Sequence, residues 1–222
     1  MKASIIQNAD NTPIGLVGDV LVERFGFTLS THYAQQADLA RLSPQHADLF
    51  VILGSPYGVY ERDIDWIEAE YAFASRLMEA DVPVFGICFG GQMLASALGA
   101  EVKPMGERHL GWHSNAFAIN EAWQGPWFRW HGDTFSLPGG ATLLASSSGV
   151  CQGFQHGKAV GLQFHPEVDH AIDRGWAVES PGILQSEGVD LDEFVKEALR
   201  EEQGARSRLG VLMEDVMNRC LG

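Results

Sequence analysis

Cysteine is scarce in this sequence: its 222 residues contain only Cys88, Cys151 and Cys220. None of them lies in a Cys-x-x-Cys pair, and three widely spaced thiols cannot form the disulfide framework of a small secreted domain. We therefore expect a protein of a reducing compartment, with free thiols that are available for chemistry.

Long apolar runs and an excess of basic residues are also missing. No segment offers the about 18 consecutive apolar residues that a membrane span requires, and the apolar run at residues 3–6 is too short for a signal peptide. The sequence has 15 basic and 29 acidic residues, which gives a net charge of −14. That charge opposes binding to nucleic acid and to anionic membranes. We expect a cytoplasmic protein without either partner.

The most informative segment is residues 82–99, which predicts a strand, a sharp turn and a helix. An apolar run precedes Cys88, and apolar residues recur at helical spacing after it until Gly99. Gly86 and Gly90 flank the cysteine at two residues on each side, as in a nucleophile elbow with sulfur in place of the hydroxyl. A cysteine at a helix N-terminus is favoured as the thiolate, the form that attacks a carbonyl carbon. We interpret Cys88 as a nucleophile rather than as a small buried hydrophobe, the commoner role of a free cysteine.

The order of elements predicts the fold class. Strands at residues 3–7, 27–29 and 49–53 alternate with a helix around residues 16–24 and with a second helix that Asp63 would cap. This order indicates a flavodoxin-like α/β fold, an open and mainly parallel mixed sheet with helices on both faces. Ligands of such sheets bind at the carboxyl ends of the strands, where both Cys88 and the loop after residue 53 would lie.

The second half reads as shorter strands, at residues 112–120, 127–131, 141–146 and 159–164. We expect them to extend the parallel core as antiparallel strands, so that residues 1–222 form one domain. Residues 180–188 read as a mobile loop. A helix near the C-terminus carries an apolar stripe from Leu209 to Cys220, which indicates core packing more than a partner surface.

A nucleophilic thiolate needs a base, and the base needs an orienting group. His165 follows an apolar strand, and Pro166 favours an extended backbone at the residue before it. Residues two apart in an extended segment share one side, so Glu167 can reach His165. We predict that one imidazole nitrogen faces Cys88 and that the other donates to Glu167.

Four segments of the sequence together resemble the class I (triad) glutamine amidotransferases, and the similarity covers most of the chain. Residues 86–92 are similar to the Gly-x-Cys-x-Gly-x-Gln elbow of that family, and residues 164–167 to its Phe-His-Pro-Glu segment. Residues 52–56 resemble its Gly-Gly-Pro oxyanion loop, with Ser55 at a position where a second glycine is common. Residues 130–133 resemble the His-Gly-Asp segment of the GMP-synthase-type members.

The resemblance implies a role for each matching residue. Cys88 would be the nucleophile, His165 the acid and base, and Glu167 the group that orients the histidine. The remaining residues would stabilise the oxyanion or bind the substrate: Gly54, Ser55 and Phe89 through backbone N–H groups, Gln92 by holding the substrate, and His131, Gly132 and Asp133 by lining the pocket for its amino-acid end. Which of Gly54 and Ser55 donates to the oxyanion stays open.

The chemistry that the resemblance implies is hydrolysis of a γ-glutamyl amide through a thioester, which needs neither a metal nor an organic cofactor. A metal site that includes His165 and Glu167 is an alternative without a supporting His-x-x-x-His pattern.

Three functions remain open at this level. The first is a glutaminase that releases ammonia to a separate synthetase, because 222 residues leave no room for a synthetase domain. The second is a stand-alone hydrolase of γ-glutamyl peptides or amides. The third is a non-catalytic binding or regulatory protein with this fold, which the complete set of Cys88, His165 and Glu167 disfavours.

Overall fold

Ten strands and six α-helices make up the structure, a computed structural model that describes residues 1–222. The strands are β1 (Lys2–Gln7), β2 (Thr28–Tyr33), β3 (Leu49–Ile52), β4 (Val84–Ile87), β5 (Val102–His113), β6 (Phe117–Ala118), β7 (Trp127–Phe135), β8 (Thr142–Ser147), β9 (Val150–His156) and β10 (Ala159–Leu162). The helices are α1 (Gly15–Glu23), α2 (Asp65–Glu79), α3 (Phe89–Ala97), α4 (His170–Glu179), α5 (Pro181–Ser186) and α6 (Leu191–Leu221). A short 3-10 helix spans Glu121–Trp123.

Eight strands form one mixed sheet in the order β2-β1-β3-β4-β10-β9-β8-β6. The first five are parallel, and β9, β8 and β6 continue the sheet in antiparallel fashion. Every residue of β3, β4 and β10 is buried, as expected for interior parallel strands covered on both faces. The predicted α/β class, with a mainly parallel mixed sheet, is confirmed.

Helices cover both faces of this sheet. On one face, α1 and the C-terminal half of α6 pack on alternate residues of the central strands, including Ile5, Val51 and Ile87. On the other face, α2 and α3 pack on the residues of opposite parity, including Ile6 and Phe50. The alternation follows from the two-residue period of a strand. No helix combines the length and the apolarity that crossing a bilayer requires.

Part of the predicted strand arrangement is wrong. Residues 112–120 do not form one strand: β5 ends at His113, and β6 is a separate short strand. Moreover, β5 and β7 leave the main sheet and pair with each other as a two-stranded antiparallel ribbon. The ribbon packs against α4, α5 and the start of α6 through a third apolar cluster centred on Phe128 and Trp176.

Two local predictions also need correction. Residues 180–188 contain α5, with Pro181 in its first turn and Leu184 buried, instead of a loop alone. Asp63 does not cap α2, whose N-cap position is Ile64 and lacks a side-chain cap. The predicted C-terminal helix is confirmed, and its apolar stripe packs in the core. The helix extends upstream to Leu191, because Phe194 and Ala198 anchor an otherwise charged first half.

Gly90 makes the tight junction of β4 and α3 sterically feasible. A Cβ on Gly90 would lie 2.0 Å from the carbonyl oxygen of Ile52, and one on Gly86 would lie 2.5 Å from that of Gly90. Real Cβ atoms never approach backbone oxygen so closely, and the clash involves backbone on both sides. The helix therefore packs on the sheet edge only with glycine at these positions.

Gly90→Ala is accordingly expected to lower the free energy of unfolding by about 3 kcal/mol or more, since backbone must shift to admit one methyl group. Gly175→Ala is the matched control, because Gly175 lies in α4 with open space around its Cβ position. That change should raise stability by about 0.5–1 kcal/mol through helix propensity. Urea unfolding of the two variants measures both effects, and equal stability of Gly90→Ala and the unmodified protein would contradict the close approach.

Candidate active site

Cys88 occupies a strained corner between β4 and α3. Its backbone has φ 52° and ψ −108°, a conformation that a non-glycine residue adopts only when the surrounding structure enforces it. The backbone N–H of Cys88 donates to the carbonyl of Leu162 in the neighbouring strand, at 2.9 Å. The sequence prediction of an elbow at this cysteine agrees with this geometry.

The sulfur of Cys88 lies near backbone and side-chain hydrogen-bond donors. It sits at the N-terminus of α3, where backbone N–H groups have no intrahelical partner. Gln163 Nε2 lies 3.7 Å from Cys88 Sγ, and Gln163 Oε1 accepts from Gln92 Nε2 at 3.2 Å. Gln92, the residue expected to hold the substrate, thus orients Gln163.

Gln163 was missed by the sequence analysis. It is fully buried, and it lies between Leu162 and Phe164 at the end of an apolar strand. A lone amide within such a run is a usable signal, because buried polar side chains require a partner.

His165 and Glu167 form a buried pair next to Cys88. His165 Nδ1 and Glu167 Oε1 are 2.7 Å apart, and both side chains are almost inaccessible to solvent. The backbone N–H of His165 donates to the carbonyl of Phe128 at 2.8 Å, which ties the end of β10 to the ribbon. Burial alone lowers the pKa of His165, but the Glu167 carboxylate and the neighbouring Cys88 outweigh burial and raise the pKa to about 10.

The free nitrogen of this pair is available to a reactant. His165 Nε2 is buried and has no hydrogen-bond partner within the protein. Because Nδ1 faces the carboxylate, Nε2 is the nitrogen that can exchange a proton with the sulfur or with a bound molecule. The indole of Trp176 contacts the imidazole edge-on, with ring centroids 4.9 Å apart, and limits its rotation.

The loop after β3 approaches the histidine from the other side. A Cβ on Gly54 would lie 3.3 Å from His165 Cε1, so the glycine lets the loop come close. The backbone N–H groups of Gly54 and Ser55 donate to no group of the protein. The amide of Phe89 is the first of α3 and points out of the helix N-terminus, while its side chain packs in the core. These three amides are candidate oxyanion donors.

Residues 131–133 contribute to the lining of the site. His131 Nδ1 lies 2.9 Å from the carbonyl oxygen of Asp133 and therefore carries its proton, which leaves Nε2 as a buried acceptor without a partner. Burial lowers the pKa of His131 to about 3, so this imidazole is neutral. Burial also raises the pKa of Asp133, while Tyr60 and Arg108 lie near it and act in the opposite sense.

One cavity of about 610 Å³ joins these groups. Eight of the ten predicted site residues line it: Gly54, Ser55, Cys88, Gln92, His131, Gly132, Asp133 and His165. Glu167 lies behind His165, and Phe89 can contribute only its backbone. Other lining residues were not predicted, and they come from segments far apart in the chain: Asn11, Tyr57, Tyr60, Arg108, Trp176, Ile183 and Glu187.

The charges around the cavity are mostly negative. Glu61, Glu107, Asp133 and Glu187 line it, and Arg108 and the His165 imidazolium are the cations among the lining residues. No three His, Cys, Asp or Glu side chains converge in a way that could hold a metal ion. The arrangement can therefore support thiol chemistry with a histidine base, and its carboxylates favour a ligand with an ammonium group.

Comparison with known proteins identifies relatives of this fold and sequence. The model of the family described as "Glutamine amidotransferase class-I" matches residues 21–175. A GMP synthase (glutamine-hydrolyzing) of Corynebacterium glutamicum is 30% identical over 184 residues, which cover 74% of this chain and 33% of that protein. This chain thus spans about a third of the length of the curated relatives that it matches.

Solved structures agree over almost the full chain. A glutamine amidotransferase from Thermotoga maritima superimposes with a TM-score of 0.85 at 28% identity, covering 97% of each chain. A glutamine amidotransferase from Methylobacillus flagellatus has a TM-score of 0.81 at 26% identity, covering 99% of this chain and 94% of that one.

Proposed function

This chain belongs to the class-I glutamine amidotransferase family, and on that premise we propose that it hydrolyses the side-chain amide of glutamine through a thioester on Cys88. Residues 1–222 act as one amidotransferase-like domain in this proposal. The observation that carries it is the strained Cys88 corner, which faces the buried His165–Glu167 pair across one cavity.

The first half of the reaction forms the thioester. Cys88 Sγ, as the thiolate, attacks the γ-carbonyl carbon, and the carbonyl electrons move to oxygen. The amides of Phe89 and of Gly54 or Ser55 stabilise that oxyanion. The imidazolium of His165 then gives its proton to the amide nitrogen, the carbon–nitrogen bond breaks, and ammonia leaves. Glu167 holds the ring and stabilises its positive charge.

The second half releases glutamate. Neutral His165 takes a proton from a water molecule, which attacks the thioester carbon, and the oxyanion again rests on the backbone amides. The carbon–sulfur bond breaks, and the thiolate of Cys88 returns. Every proton is handled by His165, so none of these steps calls on a cofactor.

Polar residues that line the cavity would bind the ammonium and carboxylate groups of glutamine. Its ammonium group would donate to Nε2 of His131, which has no partner in the protein, and to the Asp133 carboxylate, since both residues line the cavity. Arg108 also lines the cavity, and its guanidinium would pair with the carboxylate of the substrate. Gly132 leaves room for the Arg108 side chain, because a Cβ at position 132 would lie only 3.3 Å from Arg108 Nη1.

The ammonia released from glutamine would be passed to a separate synthetase. The matched GMP synthases are about three times as long as the matched region, and their names describe glutamine hydrolysis coupled to a synthase reaction. By analogy, a separate synthetase subunit would receive the ammonia released by this chain. In that case glutaminase activity of the isolated chain would be low and would rise when the partner binds.

A second candidate function, hydrolysis of γ-glutamyl amides with a larger amine, is favoured by the extent of the cavity. Besides the groups that the glutamine reaction uses, Trp176, Ile183 and Glu187 line the cavity, and Trp176 contacts His165. The departing nitrogen must lie near His165 Nε2 to be protonated, so the space lined by these residues would accommodate a substituent on that nitrogen. Ammonia alone leaves it unfilled.

The charge of the cavity predicts which amine it prefers. We compare the γ-glutamyl amides of butylamine, diaminobutane and aminobutyrate as substrates. We expect kcat/KM to be highest for the diaminobutane amide, whose free amine is cationic, and lowest for the aminobutyrate amide, whose carboxylate is anionic. The difference should be roughly tenfold at low salt and should shrink as ionic strength rises, because exposed carboxylates are screened. Glu187→Gln should reduce the difference, and Glu23→Gln, on the exposed surface of α1, should not.

Glutamate release by the purified chain tests the two functions, with Cys88→Ala as the background. Release from glutamine that increases on adding a co-purified protein supports the synthetase subunit, and release from the larger amides without a partner supports the hydrolase. Absence of release from every substrate, with and without partner, would favour the non-catalytic binding or regulatory protein.

A further inference from the structure

Two polar side chains, Asn8 and Glu70, are buried together beneath the loop that carries Gly54 and Ser55. Asn8 follows β1 and is 1% exposed, and Glu70 lies on the core face of α2 and is fully buried. Neither residue lines the cavity, and neither has a part in the reaction steps above. A buried carboxyl group with no cationic partner is costly, so its presence calls for an explanation.

The contacts of Asn8 connect Glu70 to the loop. Asn8 Nδ2 donates to the carbonyl of Leu53 at 3.0 Å and to Glu70 Oε1 at 3.3 Å. A backbone carbonyl can only accept, so this contact fixes which end of the Asn8 amide is nitrogen. The backbone N–H of Leu53 donates to Ile6 at 3.0 Å. Leu53 is thus held on both sides, one residue before Gly54.

The remaining atoms of the pair indicate a proton. Asn8 Oδ1 and Glu70 Oε2 are both buried and both lack a partner. Two acceptors cannot satisfy each other, but a protonated Glu70 can donate from Oε2 to Asn8 Oδ1. Together with the Nδ2–Oε1 contact, such a bond would close a cyclic carboxylic acid–amide pair and give every polar atom of both groups a partner.

The surroundings of Glu70 support the neutral form. Burial raises its pKa to about 8, and the hydrogen bond from Asn8 opposes that rise only in part. No charged group faces the carboxyl from α2, β1 or the loop after β3. Its neighbours on the same face of α2 are the apolar residues Ile67, Phe73 and Ala74.

We propose that Glu70 is a positioning residue that works as a neutral carboxylic acid, paired with Asn8 to hold the loop of Leu53, Gly54 and Ser55 in place for the oxyanion. The proposal rests on the proposed function of that loop. Loss of the proton breaks the Oε2–Oδ1 bond and places an unpaired buried charge behind the loop. Activity should therefore fall at the alkaline pH at which Glu70 loses its proton.

Glu70→Gln separates this role from a merely structural one. A glutamine amide has the shape of the acid, can make the same two bonds to Asn8, and cannot ionise. At pH 7 its kcat should lie within about twofold of the unmodified enzyme, and it should lack the part of the alkaline decline that has a midpoint near pH 8. Glu70→Leu, which makes neither bond, should lower kcat at least tenfold at every pH with less change in KM.

Stability gives a second readout. An acid whose pKa rises from about 4.5 when unfolded to about 8 when folded binds an extra proton in the native state between these values, so the stability of the unmodified protein falls as pH rises through this window. The Tm of Glu70→Gln should therefore exceed the Tm of the unmodified protein. The difference between the two Tm values should grow between pH 4.5 and 8 and stay constant above pH 8. Glu23→Gln should show no such margin.

Infrared difference spectra of the unmodified protein and Glu70→Gln test the proton directly, whether or not the protein hydrolyses glutamine. We expect a protonated-carboxyl band at neutral pH that belongs to Glu70 and disappears with a midpoint near pH 8. Absence of this band at pH 6 would overturn the neutral acid even if the enzyme is active. An intact band with identical pH profiles of kcat for the two proteins would overturn the link to the loop.

Discussion

Cys88→Ala is expected to lower turnover of the γ-glutamyl substrate by about 10⁴-fold or more and to leave the fold intact. A comparable loss follows removal of the nucleophile in other covalent hydrolases, because the remaining donors cannot form the intermediate. The other two thiols cannot substitute for Cys88. Burial raises the pKa of Cys151 and that of Cys220 to about 12, and neither residue lines the cavity.

Three further variants control for this result. Cys151→Ala and Cys220→Ala should retain turnover, with only the loss of stability that a small buried side chain entails. Cys88→Gly should be as inactive as Cys88→Ala and more stable by about 1 kcal/mol, since glycine relieves the strain at φ 52°. Glutamate release and urea unfolding measure the two properties. Retained activity in Cys88→Ala would exclude the thioester route.

His165→Ala should have the second-largest effect, a loss of about 10⁴-fold in the rate of thioester formation. It removes the group that protonates the leaving nitrogen and later activates water. Glu167→Gln should lose less, about 10²- to 10³-fold, because histidine remains and only its orientation and the stability of its charge are affected. Single-turnover measurements of the first product isolate this step.

The pH profile of Glu167→Gln provides an independent check. The Glu167 carboxylate is the main group that raises the pKa of His165, so its removal should lower that pKa. The imidazolium then loses its proton at a lower pH, and the alkaline limit of thioester formation should move in the same direction. An unchanged rate and profile in Glu167→Gln would mean that another residue orients the base.

The parallel half of the fold could be predicted because its signals are local. Apolar runs at Leu49–Ile52 and Val84–Ile87 mark interior strands, and two glycines around Cys88 mark the corner. The His165–Glu167 pair could be predicted for the same reason, since two-residue spacing in extended backbone puts both side chains on one side. In each case the decisive contact lies within a few residues of sequence.

The rest depends on contacts between distant segments. Nothing local to β5 or β7 indicates that they leave the main sheet, because their ribbon is held by α4 and α6 through Phe128 and Trp176. Gln163 acquires its role from Gln92 and Cys88 on another element. Likewise, Glu70 looks like a surface residue of an amphipathic helix until Asn8 is placed beside it.

The central claim is that Cys88 carries the acyl group during turnover. The most direct measurement mixes the unmodified protein with glutamine, or with a γ-glutamyl amide, quenches with acid within one turnover, and locates the γ-glutamyl group by peptide mass spectrometry. We expect a γ-glutamyl thioester on Cys88 that accumulates and decays with glutamate release, and that is absent from Cys88→Ala. Glutamate release without any thioester, or with the acyl group on Cys151 or Cys220, would contradict it.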